Sequence, residues 1–266
     1  MRFAMNGAGH HNGICVLTFH RVVGTCERDH DITRQSFRGL LDMAVRSGVS
    51  TETQLASGTS LQKFSVALTF DDGTVDHLWV GEELARRGIA GIFFVTPGKV
   101  GAVGYLSFSE VLELHALGHV VGSHSFNHIP LHQAMSRQQM QTELGDSKTY
   151  LEDALGSDVS YFAPPGGIGY RWLGREIDRF GYQASRSMVW GMYRSLGQRW
   201  TIPCVPVTEF TLARGWVRAV LSAHALPLAM KSAWTIKSIA PGAARASVRG
   251  MLHRAFRPAG SPPRSI

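Results

Sequence analysis

The chain has 266 residues, 44% of them hydrophobic and 18% charged, which is typical of a folded globular protein and excludes a disordered or fibrous one. Its three cysteines lack metal-ligand spacing, and Cys15 and Cys204 lie in apolar runs, so we expect buried thiols in a reducing compartment. Residues 1–12 are too polar for a secretory signal, and no stretch reaches the roughly 18 apolar residues of a spanning helix. These features predict a cytoplasmic protein.

The net charge of +7 is concentrated at one end of the chain. No Asp or Glu follows Glu209, whereas nine Arg or Lys residues do, so the rest of the sequence is close to neutral. We therefore predict a polar leader over residues 1–12, a catalytic domain over 13–210 and a basic helical tail over 211–266 whose end is disordered.

Apolar, β-branched runs alternate with helical patterns along the body. In chain order, strands are predicted at Gly13–Val22, FSVALTF, AGIFFVTP, HVVGSHS, SYFAPPGG and YQASRSM. The helices between them are predicted at Ser36–Gly48, HLWVGEELARRG, SFSEVLELHALG with Ser107 as a possible N-cap, and one long helix over SRQQMQTELGDSKTYLEDALG. This alternation predicts parallel βαβ units, wound as a barrel or as an open sheet.

Chemically active side chains follow two of these strands. Asp71 and Asp72 come directly after FSVALTF. His124 and His128, with three residues between them, lie at the end of HVVGSHS and just after it. Each pattern alone has an ordinary explanation, a solvated turn for the aspartates and coincidence among twelve histidines for the pair. Together at the carboxyl ends of parallel strands they favour a His₂Asp metal site, with the second carboxylate as a general base.

The same residues resemble the polysaccharide deacetylase (NodB-homology) family, the fourth carbohydrate esterase family. TFDDG at Thr69–Gly73, HSFNH at His124–His128 and FAPPGG at Phe162–Gly167 are similar to its first three motifs in order and spacing. VLTFHRV, GIFFVTP and IDRFGYQASRSM resemble its flanking strands. The resemblance covers about residues 13–207.

This resemblance implies a distorted (β/α) barrel of about seven parallel strands and a hydrolase that removes acetyl groups from amino sugars with a divalent metal, usually Zn²⁺. Backbone N–H groups near the third motif would help to hold the oxyanion. The residues carried over by position are the general base Asp71, the metal ligands Asp72, His124 and His128, and the oxyanion turn Pro164, Pro165 and Gly166.

Three departures from the family pattern stand out. Ala163 occupies the place of an arginine that orients the base, Gly166 replaces an aromatic residue, and the late Leu-x-His motif that supplies the general acid has no counterpart, since His224 lies in the tail. His20, at the end of the first strand, is a candidate substitute for the acid. The alternative for His20 is a packed histidine bonded to the backbone.

We therefore predict a metal-dependent hydrolase that removes N-acetyl groups from a polysaccharide or a lipid-linked amino sugar during envelope or exopolysaccharide assembly. The alternative is a catalytically impaired barrel that binds a glycan or serves an assembly complex. The tail pairs cations with Trp and Leu, so it could contact an anionic membrane at its inner face or pack on the barrel. No nucleic-acid partner is expected.

Overall fold

The computed structural model describes residues 12–46, 50–57, 61–167, 171–215 and 217–219. In this part of the chain the strands are β1 Gly13–Phe19, β2 Arg21–Val23, β3 Asp31–Thr33, β4 Ser50–Thr51, β5 Phe64–Phe70, β6 Ile92–Val95, β7 Val120–Ser123, β8 Tyr161–Phe162, β9 Ala184–Trp190 and β10 Ile202–Pro206. The α-helices are α1 Arg34–Arg46, α2 Asp76–Ala85, α3 Phe108–Ala116, α4 Arg137–Met140, α5 Ser147–Leu155, α6 Arg171–Arg179 and α7 Glu209–Ala213.

Seven parallel strands close into a barrel in the order β1, β5, β6, β7, β8, β9, β10. The ring closes because β1 pairs with both β10 and β5. The pairing of β1 with β5 is continuous, from Gly13 opposite Phe64 to Phe19 opposite Phe70. This confirms the prediction of a distorted (β/α) barrel of about seven strands. The short strands β2 and β3 form a separate parallel pair, and β4 adds to the beginning of β5.

Strands of the barrel are largely apolar because both of their faces are covered, and β9 with Ser185, Arg186 and Ser187 is the exception. All seven residues of β1 are buried. One core cluster contains Ile14, Val16, Leu55, Ala67, Ile92, Phe94, Tyr161, Ala163, Ala184, Tyr193, Ile202 and Cys204. The continuous apolar runs in the sequence therefore correspond to strands enclosed on both sides.

The helices follow their sequence signals with one exception. Ser107 caps α3 in a capping box, since its hydroxyl accepts the Glu110 N–H and its own N–H donates to the Glu110 carboxylate. The helix predicted as one regular element over SRQQMQTELGDSKTYLEDALG is interrupted by a π-helical turn at Gln141–Asp146, between α4 and α5. The strand predicted over Gly13–Val22 is likewise divided at His20.

Among the helices of the described residues, none combines the length and the apolar character needed to cross a membrane. From residue 220 onward the predicted basic tail lies outside the described residues, and so does His224. The domain limits 1–12, 13–210 and 211–266 stay predictions.

Candidate active site

The carboxyl ends of the barrel strands bring polar side chains into one layer. His20 and Asp71 follow the paired ends of β1 and β5. The register of β7, β8 and β9 places His124, Ala163 and Arg186 at the same level on three neighbouring strands. Because all the strands are parallel, these residues surround one mouth of the barrel.

Three side chains at this mouth converge as metal ligands do. Asp72 Oδ1 lies 3.2 Å from His124 Nε2 and 3.0 Å from His128 Nε2, and the three atoms all lie within 4.8 Å of one another. Ligand atoms about 2.0–2.2 Å from a tetrahedral Zn²⁺ lie about 3.3 Å apart. The donor set and its spacing therefore fit a divalent cation with open positions for water and substrate.

The second nitrogen of His124 has a partner that favours metal binding. Its Nδ1 lies 2.6 Å from the carbonyl oxygen of Ala163. Because a carbonyl oxygen only accepts hydrogen bonds, Nδ1 carries the proton, and in the neutral ring Nε2 faces Asp72 with a free lone pair. Burial alone would raise the pKa of Asp72, but its close contacts with the His124 and His128 imidazoles more than offset this and hold the pKa well below its usual value. The candidate ligand set is thus one carboxylate and two imidazoles.

The backbone is strained at the same point. Asp72, Ser125 and His128 have φ values of 82°, 61° and 61°, and they are the non-glycine residues with positive φ in the described part of the chain. Such a conformation costs about 1–3 kcal/mol per residue and persists only where the surroundings impose it. Its restriction to the two loops that carry the ligands is typical of a functional site.

Asp71, the predicted general base, is buried and is held by an arginine from another strand. Arg186 Nη2 contacts both carboxylate oxygens of Asp71, and the guanidinium is itself buried, 5.4 Å from the centre of the Phe94 ring. Burial by itself would raise the pKa of Asp71, but the charge of Arg186, together with His124 and His20, more than compensates, so the pKa lies below its usual value. Asp71 is therefore ionised and fixed in direction.

Arg186 accounts for the arginine that the third motif lacks. Phe162 on β8 pairs with Ser185 on β9, so Ala163 and Arg186 are the next neighbours in the same layer. Ala163 is small and buried, and the long side chain of Arg186 reaches Asp71 from the neighbouring strand. Sequence reasoning missed this residue, although an arginine inside the apolar run YQASRSMVW must find a buried partner.

His20 stands beside the base, and its backbone is clamped by α2. His20 Nε2 lies 3.9 Å from Asp71 Oδ2. The His20 carbonyl contacts His77 Nε2, and the N–H of Val22 donates to Asp76 Oδ2 at 2.7 Å. Burial lowers the pKa of His20 and outweighs the opposite effect of Asp71 and Asp72. The backbone around His20 is thus held by α2, and the imidazole is partly exposed beside Asp71.

The turn after β8 offers fewer donors than its sequence suggests. Pro164 and Pro165 carry no N–H, the Ala163 N–H donates to the Ser123 carbonyl, and the Gly167 N–H donates to the Pro164 carbonyl. The remaining N–H of this turn belongs to Gly166, which is exposed and has a φ of 72°. Of the predicted oxyanion turn Pro164, Pro165 and Gly166, only Gly166 therefore has a backbone N–H that could donate to an oxyanion.

Comparison with known proteins agrees with this geometry. A family model described as polysaccharide deacetylase matches residues 58–185, which include both ligand loops and Ala163. The structure of IcaB from Ammonifex degensii superposes with a TM-score of 0.70 at 26% identity, over 81% of this chain and 99% of that one.

Two curated relatives are similar over a shorter stretch. A chitin deacetylase from Pestalotiopsis sp is 28% identical over 130 residues, 44% of this chain and 43% of that protein. The peptidoglycan-N-acetylmuramic acid deacetylase PdaA from Bacillus subtilis is 30% identical over 122 residues, 45% of this chain and 44% of that protein. The matched region thus spans less than half the length of either relative.

Proposed function

We infer that this chain, which belongs to the polysaccharide deacetylase (NodB-homology) family, is a metal-dependent hydrolase that removes N-acetyl groups from an amino sugar of a polysaccharide. The observation that carries this proposal is the position of Asp71. An ionised carboxylate, fixed by Arg186, stands next to three side chains whose donor atoms suit a divalent cation.

Each residue of the site has a role in hydrolysis of an acetamide. Asp72, His124 and His128 would hold a divalent cation, for which we propose Zn²⁺, and when bound it would supply Lewis acidity toward the acetyl carbonyl and the attacking water. Asp71 accepts a proton from that water as it adds to the carbonyl carbon. Arg186 keeps Asp71 ionised and prevents it from turning away.

The remaining steps fall to the opposite side of the mouth. The Gly166 N–H, in the turn set by Pro164 and Pro165, donates to the oxygen on which negative charge develops. When the C–N bond breaks, we propose that His20 passes to the sugar nitrogen the proton that Asp71 took from the water, so that acetate and a free amine leave. One water is consumed for each acetyl group removed.

The curated relatives suggest where to look for the substrate. One is named for chitin and the other for the N-acetylmuramic acid of peptidoglycan, both polymers with N-acetylated sugars. We extend the proposal to lipid-linked amino sugars, with residues 211–266 in contact with an anionic membrane surface, because that segment carries nine basic residues and no acidic one. Vesicles with and without anionic lipid test this extension by co-sedimentation of the full chain.

The central experiment measures acetate release from chitin oligosaccharides, peptidoglycan fragments and lipid-linked N-acetyl sugars. Wild type loaded with Zn²⁺ is compared with Asp71→Asn, and bound metal is quantified in both. We expect release that disappears in the variant while the metal remains. Metal bound by both proteins without release from any substrate would contradict the proposal and favour the alternative, a catalytically impaired barrel that binds glycans.

A further inference from the structure

Residues 124–128, here called the histidine loop, carry two of the three candidate metal ligands in a strained conformation. Ser125 and His128 both have a φ of 61°, a left-handed value that a non-glycine residue keeps only when its surroundings hold it there. The direction in which the two imidazoles point depends on this backbone. Whatever fixes the loop therefore also fixes the approach of the imidazoles to Asp72.

Glu143 contacts the histidine loop at Asn127, while the Gly98 N–H donates to the Phe126 carbonyl and the His128 N–H donates to Ser125 Oγ. Glu143 Oε2 accepts a hydrogen bond from the backbone N–H of Asn127 at 3.0 Å, and its Oε1 accepts one from Asn127 Nδ2 at 2.7 Å. Both donors come from the residue immediately before His128. A carboxylate suits this position because it presents two acceptors to two donors at once.

The surroundings of Glu143 show that it is built in for this contact. Its side chain is 2% exposed, and burial of a carboxylate is costly unless hydrogen bonds compensate it. It lies in the π-helical turn Gln141–Asp146, where Glu143, Leu144 and Gly145 are buried in succession. Such turns are rare and occur frequently at functional sites. The helix thus leaves its regular form at the turn that presents this acid to the loop.

We propose that Glu143 is a positioning residue for metal binding, which acts through Asn127 without touching metal or substrate. This inference rests on the proposed function, because it requires Asp72, His124 and His128 to bind a divalent cation. Removal of a partner that orients a metal ligand lowers metal affinity by about 10- to 100-fold. The same range is expected here.

The test exchanges the hydrogen-bond donor and acceptor between Asn127 and Glu143. Asn127→Asp places two carboxylates against each other, whereas Asn127→Asp combined with Glu143→Gln again sets a donor opposite an acceptor. Zn²⁺ affinity is measured on the metal-free proteins by competition with a chromophoric chelator, well below their unfolding temperatures. Affinity falls by about 10- to 100-fold in Asn127→Asp, and the double variant recovers most of the loss.

Glu152→Gln is the matched control. Glu152 Oε1 accepts the N–H of Val159 at 2.9 Å, a similar contact between the same long helical segment and a loop, but not the histidine loop. This variant loses stability and keeps wild-type Zn²⁺ affinity. If Asn127→Asp fails to fold, Asn127→Ala replaces it, since it removes one donor without adding charge, and its affinity falls less.

Two results would overturn the inference. One is a folded Asn127 variant that binds Zn²⁺ as tightly as wild type, and the other is a double variant that binds no better than Asn127→Asp. Both are distinct from failure of the proposed function, in which the wild-type protein itself does not bind Zn²⁺.

Discussion

The two ends of β7 carry two buried histidines with opposite roles. At the amino end, His119 Nδ1 accepts the N–H of Gly91 at 3.2 Å, and His119 Nε2 lies 2.9 Å from the carbonyl of Gly81. At the carboxyl end, His124 Nδ1 also meets a backbone carbonyl, but its Nε2 faces Asp72 and His128. The two histidines therefore differ in how many ring nitrogens contact the backbone: both in His119, but only one in His124, the proposed ligand.

The largest effect is expected at the carboxyl end. His124→Ala removes a ligand, so Zn²⁺ binding is lost and acetate release falls by about 10³-fold, since Lewis-acid stabilisation contributes several kcal/mol. The unfolding temperature of the metal-free protein changes less than it does in a His119 variant. Metal analysis and acetate release check this together. A His124→Ala protein that keeps both would remove the distinction between the two histidines.

The buried ion pair at the same end comes next. Arg186→Met leaves the Asp71 carboxylate buried without its cation, which costs about 3–5 kcal/mol of unfolding free energy and also deprives the base of its orientation. Chemical denaturation measures the stability loss, and acetate release measures the catalytic one. Arg199→Met is the control, because that arginine is half exposed and lies 4.0 Å from Asp178. An Arg186→Met protein as stable and active as wild type would refute the role of the pair.

The amino end is expected to show a smaller loss of a different kind. His119→Phe retains a ring but leaves the Gly91 N–H and the Gly81 carbonyl without their partner, at a cost of about 2–3 kcal/mol in unfolding free energy. Activity per folded molecule and Zn²⁺ affinity stay at the wild-type level. Denaturation curves measure the loss of stability, and acetate release per metal-loaded site measures whether activity is unchanged. Loss of metal from His119→Phe would show that the two ends of β7 are coupled.

The smallest effect is a pH dependence. Burial lowers the pKa of His119 from its ordinary 6.5, and the contact with Gly81 opposes this only in part. Below pH 6.5, His119 takes up a proton in the unfolded chain but stays neutral in the folded one. The unfolding free energy that His119 contributes is therefore fully present above this pH and decreases as the pH falls. The slope contributed is at most about 1.4 kcal/mol per pH unit. Unfolding measured from pH 7.5 to 5.5 should show a shallower decline in His119→Phe, and equal slopes would contradict this assignment.

The sequence predicted those parts of the site that depend on short segments. Asp71, Asp72, His124 and His128 follow apolar strands directly, and parallel pairing brings strand ends together without further information. The position of His20 at the end of β1 could be predicted for the same reason. Each of these residues needs only the correct strand before it.

Features that depend on pairing between distant segments could not be predicted. The role of Arg186 depends on the register of β8 against β9 and on a contact with Asp71, 115 residues away in the chain. Glu143 reaches Asn127 because a helix changes to a π-helical turn, and no periodicity in the sequence signals that change. The two- and three-residue strands β2, β3 and β4 are too short to produce an alternating pattern.

The arrangement of Ala163 and Arg186 also has an evolutionary consequence. In a closed ring of parallel strands every strand faces the same axis, so a guanidinium can be supplied from a neighbouring strand and still reach the same carboxylate. A search that requires an arginine beside the Pro-Pro-Gly turn would discard this chain as degenerate. Relatives with the same exchange should carry a small residue at one of the two positions whenever they carry arginine at the other, and an alignment scored by barrel layer would recover them.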